Sequence, residues 1–234
     1  MIRVLPDPEA AAHAVAETIM AQAAAAVEVQ GSFTVALSGG RTPRRLFELL
    51  GSEYRRRVPW AQTRILWVDE RCVPPTDPRS NYAMARSLLL DRVPVSPTAV
   101  HRIRGELEPE PAAAEYQRVL ASMEGLDLAL LGVGADGHTA SLFPGQLEPD
   151  EPLWARPVRA PRGIEPRDRV TLTLRALNAF THAVFLVTGV EKHAVVEAAR
   201  ADRAPDAGTE AFPALQVRPA TEPLWIVDTA ASGE

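Results

Sequence analysis

The chain is poor in cysteine, in basic charge and in long apolar runs, and each shortage excludes something. Cys72 stands alone, so no intramolecular disulfide can form and the multi-cysteine zinc ligand sets are missing. That fits a reducing compartment. With 25 Lys and Arg against 30 Asp and Glu, the net charge is −5. A nucleic-acid binder would carry a basic face, although a local basic pocket for a small anion remains compatible. Pro, Arg or Asp interrupts the apolar stretches, so no membrane-spanning run is expected. The opening MIRVLPDPEAAAHAVAET has acids where a signal peptide has basic residues. Together these predict a soluble, cytoplasmic protein without nucleic-acid or membrane partners. No G-x-S-x-G elbow occurs, so a serine acyl-enzyme is not expected. No His, Asp and Glu spacing marks a metal site, and neither an internal repeat nor a flexible linker is evident.

What remains is a chain of 234 residues, 46% hydrophobic, long enough to bury a core as one domain spanning 1–234. Segment 8–29 is alanine-rich with apolar positions at helical spacing, which predicts a long amphipathic helix. Short apolar runs follow at 32–37, 63–69, 126–134, 182–189 and 223–228, each closed by a polar or glycine-rich turn. Helical patterns alternate with them at 42–50, 81–90, 111–123 and 191–201. Apolar β-branched strands alternating with helices predict an α/β fold with a doubly wound, mainly parallel sheet and helices on both faces. Residues 146–169 are crowded with Pro, Arg and acids and read as an irregular excursion, followed by a further strand at 170–178. The 21 prolines are spread between apolar runs and imply ordered turns.

In such sheets ligands bind beyond the carboxyl ends of the strands, and three polar groups fall there. In ALSGGRTP (36–43), Ser38, Gly39 and Gly40 allow a tight turn, Thr42 can cap a helix and Pro43 suits its first turn. Free amides at a helix start form an anion site, though the same string also serves as a plain strand–helix turn. It is not a P-loop, since the glycine spacing and terminal Lys-Ser/Thr are absent. In LWVDERCVPP (66–75) with SNY (80–82), Asp69, Glu70 and Arg71 follow a strand. Arg71 suits an oxyanion or carboxylate, or else a surface ion pair with its acidic neighbours. Cys72 reads as a small packed residue.

The third group, LDLALLGVGADGHTASLFPG (126–145), carries glycines at 132, 134 and 137 in G-x-G-x-x-G spacing. Its mid-chain position, Pro144 and the lack of a strand-end acid about twenty residues on count against a dinucleotide site. The glycines instead present His138, with Asp136 close by. An imidazole suits proton transfer near neutral pH, and a carboxylate fixes its tautomer; the alternative is a packed or exposed histidine. Lys192, Arg167 and Arg169 lie where they can reach an anion, although each taken alone reads as a solvated charge. His13, His101, His182 and His193 have no neighbouring chemistry and read as structural.

The strings SGGRTP, VDER…SNY, LLGVGADGHTASLFPG, RVTLTLRALN and TGVEK, in this order over about residues 35–192, resemble the 6-phosphogluconolactonase family. GADGHTASLFPG is the most specific of them. The resemblance implies a modified Rossmann-like α/β fold, no cofactor, and hydrolysis of 6-phosphogluconolactone in the oxidative pentose phosphate pathway. The partner it implies is a small phosphorylated sugar lactone, and the expected state is a monomer, with a dimer as the alternative. The superfamily also holds glucosamine-6-phosphate deaminase, which shares the SGG loop, the aspartate, the DGH and a lysine. The deaminase has tyrosine at the place of Arg71 and an I-A-F-N-E-P-like string whose glutamate assists ring opening. Here TASLFP has no acid, which favours ester hydrolysis. Arg41 departs from the pattern, standing where many relatives have Ser.

The expected arrangement then has amides of Gly39 to Thr42, with Lys192 and Arg41 or Arg167, on the phosphate. His138 is the expected base, Asp136 its orienting partner and Arg71 the oxyanion donor. Asp69 and Asn81 are placed on the substrate side, with no metal. A non-catalytic sugar-phosphate sensor is the alternative of another class, and the retained DER and DGH groups speak against it.

Overall fold

All five apolar runs become parallel strands, and a sixth joins them from the N-terminus. In the computed structural model, which describes residues 1–148, 151–201 and 212–234, the elements are β1 (Ile2–Leu5), α1 (Pro8–Gln30), β2 (Phe33–Leu37), α2 (Pro43–Gly51), β3 (Thr63–Trp67), β4 (Asp69–Arg71), α3 (Asn81–Leu88), α4 (Pro109–Ala121), β5 (Leu128–Leu131), β6 (Ala155–Arg159), β7 (Asp168–Leu172), α5 (Leu174–Asn178), β8 (His182–Val187), α6 (His193–Arg200), β9 (Leu224–Asp228) and α7 (Thr229–Ser232). The main sheet has the order β1-β9-β8-β5-β2-β3 with every pairing parallel. A second, antiparallel sheet has the order β4-β7-β6. The architecture is the Rossmann-like α/β fold expected, with this smaller sheet added.

Local chemistry explains the elements. Asp7 caps α1 by accepting from the Ala10 amide, Pro8 opens the first turn, and Gly31 ends the helix in the left-handed region at φ 78°. Ala11, Ala12, Val15, Ala16, Ile19 and Ala23 form its buried face, at the 3–4 spacing a single apolar stripe requires. The absence of a span-length run needs correction: α1 has 23 residues and a mean hydropathy of 1.2 over its best window, enough by length and composition. That face is covered in the fold, because α1 packs on α2 and on β9. On the sheet, the Phe185 and Trp225 rings stack at 4.2 Å, worth about 0.5–1.5 kcal/mol beyond their burial.

Three expectations change. The run 63–69 does not continue as one strand: β3 stops at Trp67, and Asp69–Arg71 turns into the second sheet against β7. The fully buried Tyr116 of α4 stands at that exit, its hydroxyl accepting from the Trp67 amide and donating to the Trp67 carbonyl, both at 2.8 Å. The proposed strand 170–178 is β7 only to Leu172, because the Thr173 hydroxyl accepts from the Ala176 amide and caps α5. Within the presumed excursion, β6 pairs with β7, while 149–150 lie outside the described residues.

Candidate active site

Since the six strands of the main sheet are parallel, their carboxyl ends face one edge. Strand order reverses between β2 and β5, which is where a crevice opens in such sheets. The Ser38 hydroxyl spans it, donating to the Leu130 carbonyl at 2.8 Å; this side chain is therefore committed to the scaffold. Beyond it lies a cleft of about 210 Å³, lined among others by Gly39, Gly40, Arg41, Thr42, Asp69, Arg71, His138, Arg169 and Lys192. Thr42 sits at helical angles (φ −59°, ψ −44°) and its hydroxyl makes no cap bond, so the expected cap is not formed. The first amides of α2 are left without a side-chain acceptor, as an anion site requires.

His138 is held by its own turn. Its Nδ1 lies 2.6 Å from Asp136 Oδ1, which also accepts from the His138 amide at 3.2 Å. The ring packs at 4.9 Å from the Phe143 ring. Gly134 is required here, since a Cβ at that position would come within 2.1 Å of His138 Nδ1. A carboxylate at that distance favours the tautomer that donates Nδ1–H to it and carries the lone pair on Nε2. Two residues on, Ala140 adopts the left-handed region at φ 49°, a strain of about 1–2 kcal/mol for a residue with a Cβ. Ser141 holds it there: its amide donates to Thr171 Oγ1 at 3.1 Å and its hydroxyl to Asp69 Oδ2 at 2.6 Å.

Asp69 is the hub of the cleft floor. Besides Ser141 it accepts from Asn81 Nδ2 at 3.1 Å and faces Arg169 Nη1 at 4.0 Å. Both partners of that ion pair are buried; burial holds the Arg169 pKa below its ordinary value, and Asp69 opposes the shift. Neighbouring Glu70 faces the other way and fixes the start of α3. It accepts from the amides of Asn81 and Tyr82 and from the Ser80 hydroxyl at 2.7–2.9 Å, while its burial raises the carboxyl pKa against those donors. Arg71 makes no ion pair with its acidic neighbours among the described residues; its Nη1 donates to the Arg79 carbonyl at 2.6 Å and its Nε has no partner.

The sequence-derived candidates therefore separate. Ser38, Gly39, Gly40, Arg41, Thr42, Asp69, Arg71, His138 and Lys192 converge on the cleft. Asp136 stands behind His138, and Asn81 is buried beneath Asp69 rather than lining the cavity. Arg167 is corrected: its Nε donates to the Ala160 carbonyl at 3.2 Å, and Arg169 is the arginine of that pair which reaches the cleft. Arg41 and Lys192 make no side-chain ion pair among the described residues, so two cations are free for a ligand. The Cys72 thiol is pushed up to about 12 by burial and by surrounding carboxylates, which disfavours the reactive thiolate. Ser141 and Phe143 also serve the site; both lie in TASLFP, where nothing in the local pattern marks either one.

A family model described as glucosamine-6-phosphate isomerases/6-phosphogluconolactonase matches residues 6–226. The chain belongs to this family. A family member from Nostoc sp. (strain PCC 7120 / SAG 25.82 / UTEX 2576), named 6-phosphogluconolactonase, is 35% identical over 243 residues, covering 100% of this chain and 97% of its own. One of the same name from Treponema pallidum (strain Nichols) is 37% identical over 201 residues, 82% of each chain. The crystal structure of the family's 6-phosphogluconolactonase from Thermotoga maritima superposes with a TM-score of 0.83 at 30% identity, covering 97% of this chain and 99% of that one. A monomeric glucosamine-6-phosphate deaminase superposes with a TM-score of 0.84 at 17% identity, a likeness of fold alone.

Proposed function

We propose that this chain hydrolyses 6-phosphogluconolactone to 6-phosphogluconate, as a cytoplasmic enzyme of the oxidative pentose phosphate pathway, with His138 as the general base. It is a carboxylic ester hydrolase like its named relatives. The observation that carries the mechanism is the Asp136–His138 pair at 2.6 Å, opening on a cleft that also holds Arg71, Arg41, Lys192 and the start of α2.

The substrate phosphate sits on the α2 amides and Lys192, with Arg41 beside them. Anchoring that remote group orients the lactone carbonyl and converts binding energy into positioning. His138 Nε2 takes a proton from water as the water oxygen attacks the carbonyl carbon. Arg71, which lines the cleft, faces the tetrahedral oxyanion, its guanidinium supplying positive charge where negative charge develops. The imidazolium, steadied by Asp136, then returns the proton to the departing ring oxygen as the C–O bond breaks. Asp69, held by the Ser141 and Asn81 side chains and paired with Arg169, accepts from substrate hydroxyls.

Freshly generated phosphorylated lactone, followed against its spontaneous hydrolysis, tests the reading. Acceleration well above background is expected, with no ammonia released from glucosamine 6-phosphate. Ammonia release without lactone hydrolysis would replace this reading with the deaminase one. Phe143, an apolar ring against His138, argues against that outcome, because it stands in the string where the deaminase carries its ring-opening glutamate.

A further inference from the structure

We propose that Asp228, at the carboxyl end of β9, is a positioning residue for the substrate phosphate, acting through the Gly189–Lys192 turn. This deepens the preceding reading and rests on its assignment of Lys192 to the phosphate.

Asp228 is 2% exposed. Its Oδ1 accepts from the Gly189 amide at 3.0 Å and the Ala231 amide at 2.8 Å, and its Oδ2 from the Gly189 amide at 3.2 Å. No cation pairs with it among the described residues, so these amides are what offset the cost of burying the carboxylate. Capping α7, a helix of 4 residues, needs only a short acceptor such as serine. The longer carboxylate does something more, since it ties the end of β9 to the loop leaving β8.

That loop carries Lys192. Gly189 has φ 100° and ψ 144°, a conformation that residues with a Cβ rarely adopt. Its amide goes to Asp228, and its carbonyl accepts the Lys192 amide at 3.0 Å. A single relay of bonds thus runs from the Asp228 carboxylate through Gly189 to the Lys192 backbone. The same carboxylate caps α7, which sets Gly233 against the His193 ring; a Cβ on Gly233 would come within 2.3 Å of His193 Cε1. Lys192 is bracketed on both sides by structure that Asp228 organises. Its side chain has no ion-pair partner among the described residues, so the backbone decides where the ammonium is held, and a long lysine otherwise spreads over many rotamers.

The test compares wild type, Asp228→Ser and Lys192→Ala on phosphorylated and unphosphorylated gluconolactone, with thermal unfolding run alongside. Serine retains the α7 cap but is too short to reach Gly189. The proposal expects folded Asp228→Ser to show about a tenfold rise in KM for the phosphorylated lactone, the scale of losing a hydrogen bond to a charged group. kcat should move much less, the preference for phosphorylated over unphosphorylated substrate should fall by a similar factor, and inhibition by inorganic phosphate should weaken. Should Asp228→Ser fail to fold, Asp228→Thr, which likewise keeps a capping hydroxyl but cannot reach Gly189, is expected to lose the same preference. A folded variant with unchanged preference, or one losing both substrates equally, overturns the proposal. Lys192→Ala separates the two levels. If it keeps the preference, the phosphate reading itself is wrong; if it loses the preference while folded Asp228→Ser does not, only the role of Asp228 is wrong.

Discussion

His138 Nδ1 and Asp136 Oδ1 lie 2.6 Å apart within one glycine turn, so the imidazole is fixed by a residue two positions before it. Asp136→Asn keeps the size of the partner but removes the charge that selects the tautomer. kcat should fall clearly, though by less than the roughly 10²–10⁴-fold of losing general acid–base catalysis altogether. Steady-state kinetics on the folded variant check this; an unchanged kcat would remove Asp136 from the mechanism.

Tyr116 replaces a missing strand partner where β3 ends, its hydroxyl serving both backbone groups of Trp67 at 2.8 Å. Tyr116→Phe leaves a buried N–H and a buried C=O unpaired. Denaturant unfolding should show a loss of about 1–3 kcal/mol, and stability equal to wild type would contradict the role given to this contact.

Cys72 should be nearly unreactive in the native protein. With its pKa pushed up to about 12 from 9.0, the thiolate fraction at about pH 8 drops by roughly 10³-fold. Alkylation monitored by mass spectrometry should be slow until denaturant is added. Rapid native labelling would show that the thiol is not suppressed.

The Glu106 carboxyl is held down to about 2 by its two-pronged contact with Arg102. A carboxyl with a depressed folded pKa stabilises the fold above its unfolded value of 4.5, and that stabilisation is lost as pH falls toward the folded value. Glu106→Gln should therefore be less stable than wild type at about pH 6, with the gap closing on acidification. Denaturation midpoints across that range give the answer; a gap that widens toward acid would reverse the assignment.

Much of this was legible from local pattern. The apolar runs ending in polar turns located the main-sheet strands β2, β3, β5, β8 and β9, and SGGRTP and GADGH marked the two loops flanking the crevice. What escaped depends on partners distant in sequence. β4 is three polar residues, Asp69–Arg71, and reads as a loop until β7 is there to pair with it. β6 contains Pro157 and two arginines, poor strand formers that the pairing with β7 overrides. Arg167 and Arg169 have the same chemistry; Arg169 lies within β7 opposite Arg71, whereas Arg167 precedes the strand and donates to the Ala160 carbonyl. Asp228 closes an apolar strand and gives no sign of its bond to Gly189, 39 positions earlier.

The central claim is that His138 moves the proton. Initial rates of phosphorylated-lactone hydrolysis, corrected for the spontaneous reaction, should be compared between wild type and a His138→Ala variant shown by circular dichroism to be folded. The account predicts a fall of about 10²–10⁴-fold in kcat, with KM changed far less because the phosphate contacts remain. A folded His138→Ala enzyme that turns over at the wild-type rate would contradict it.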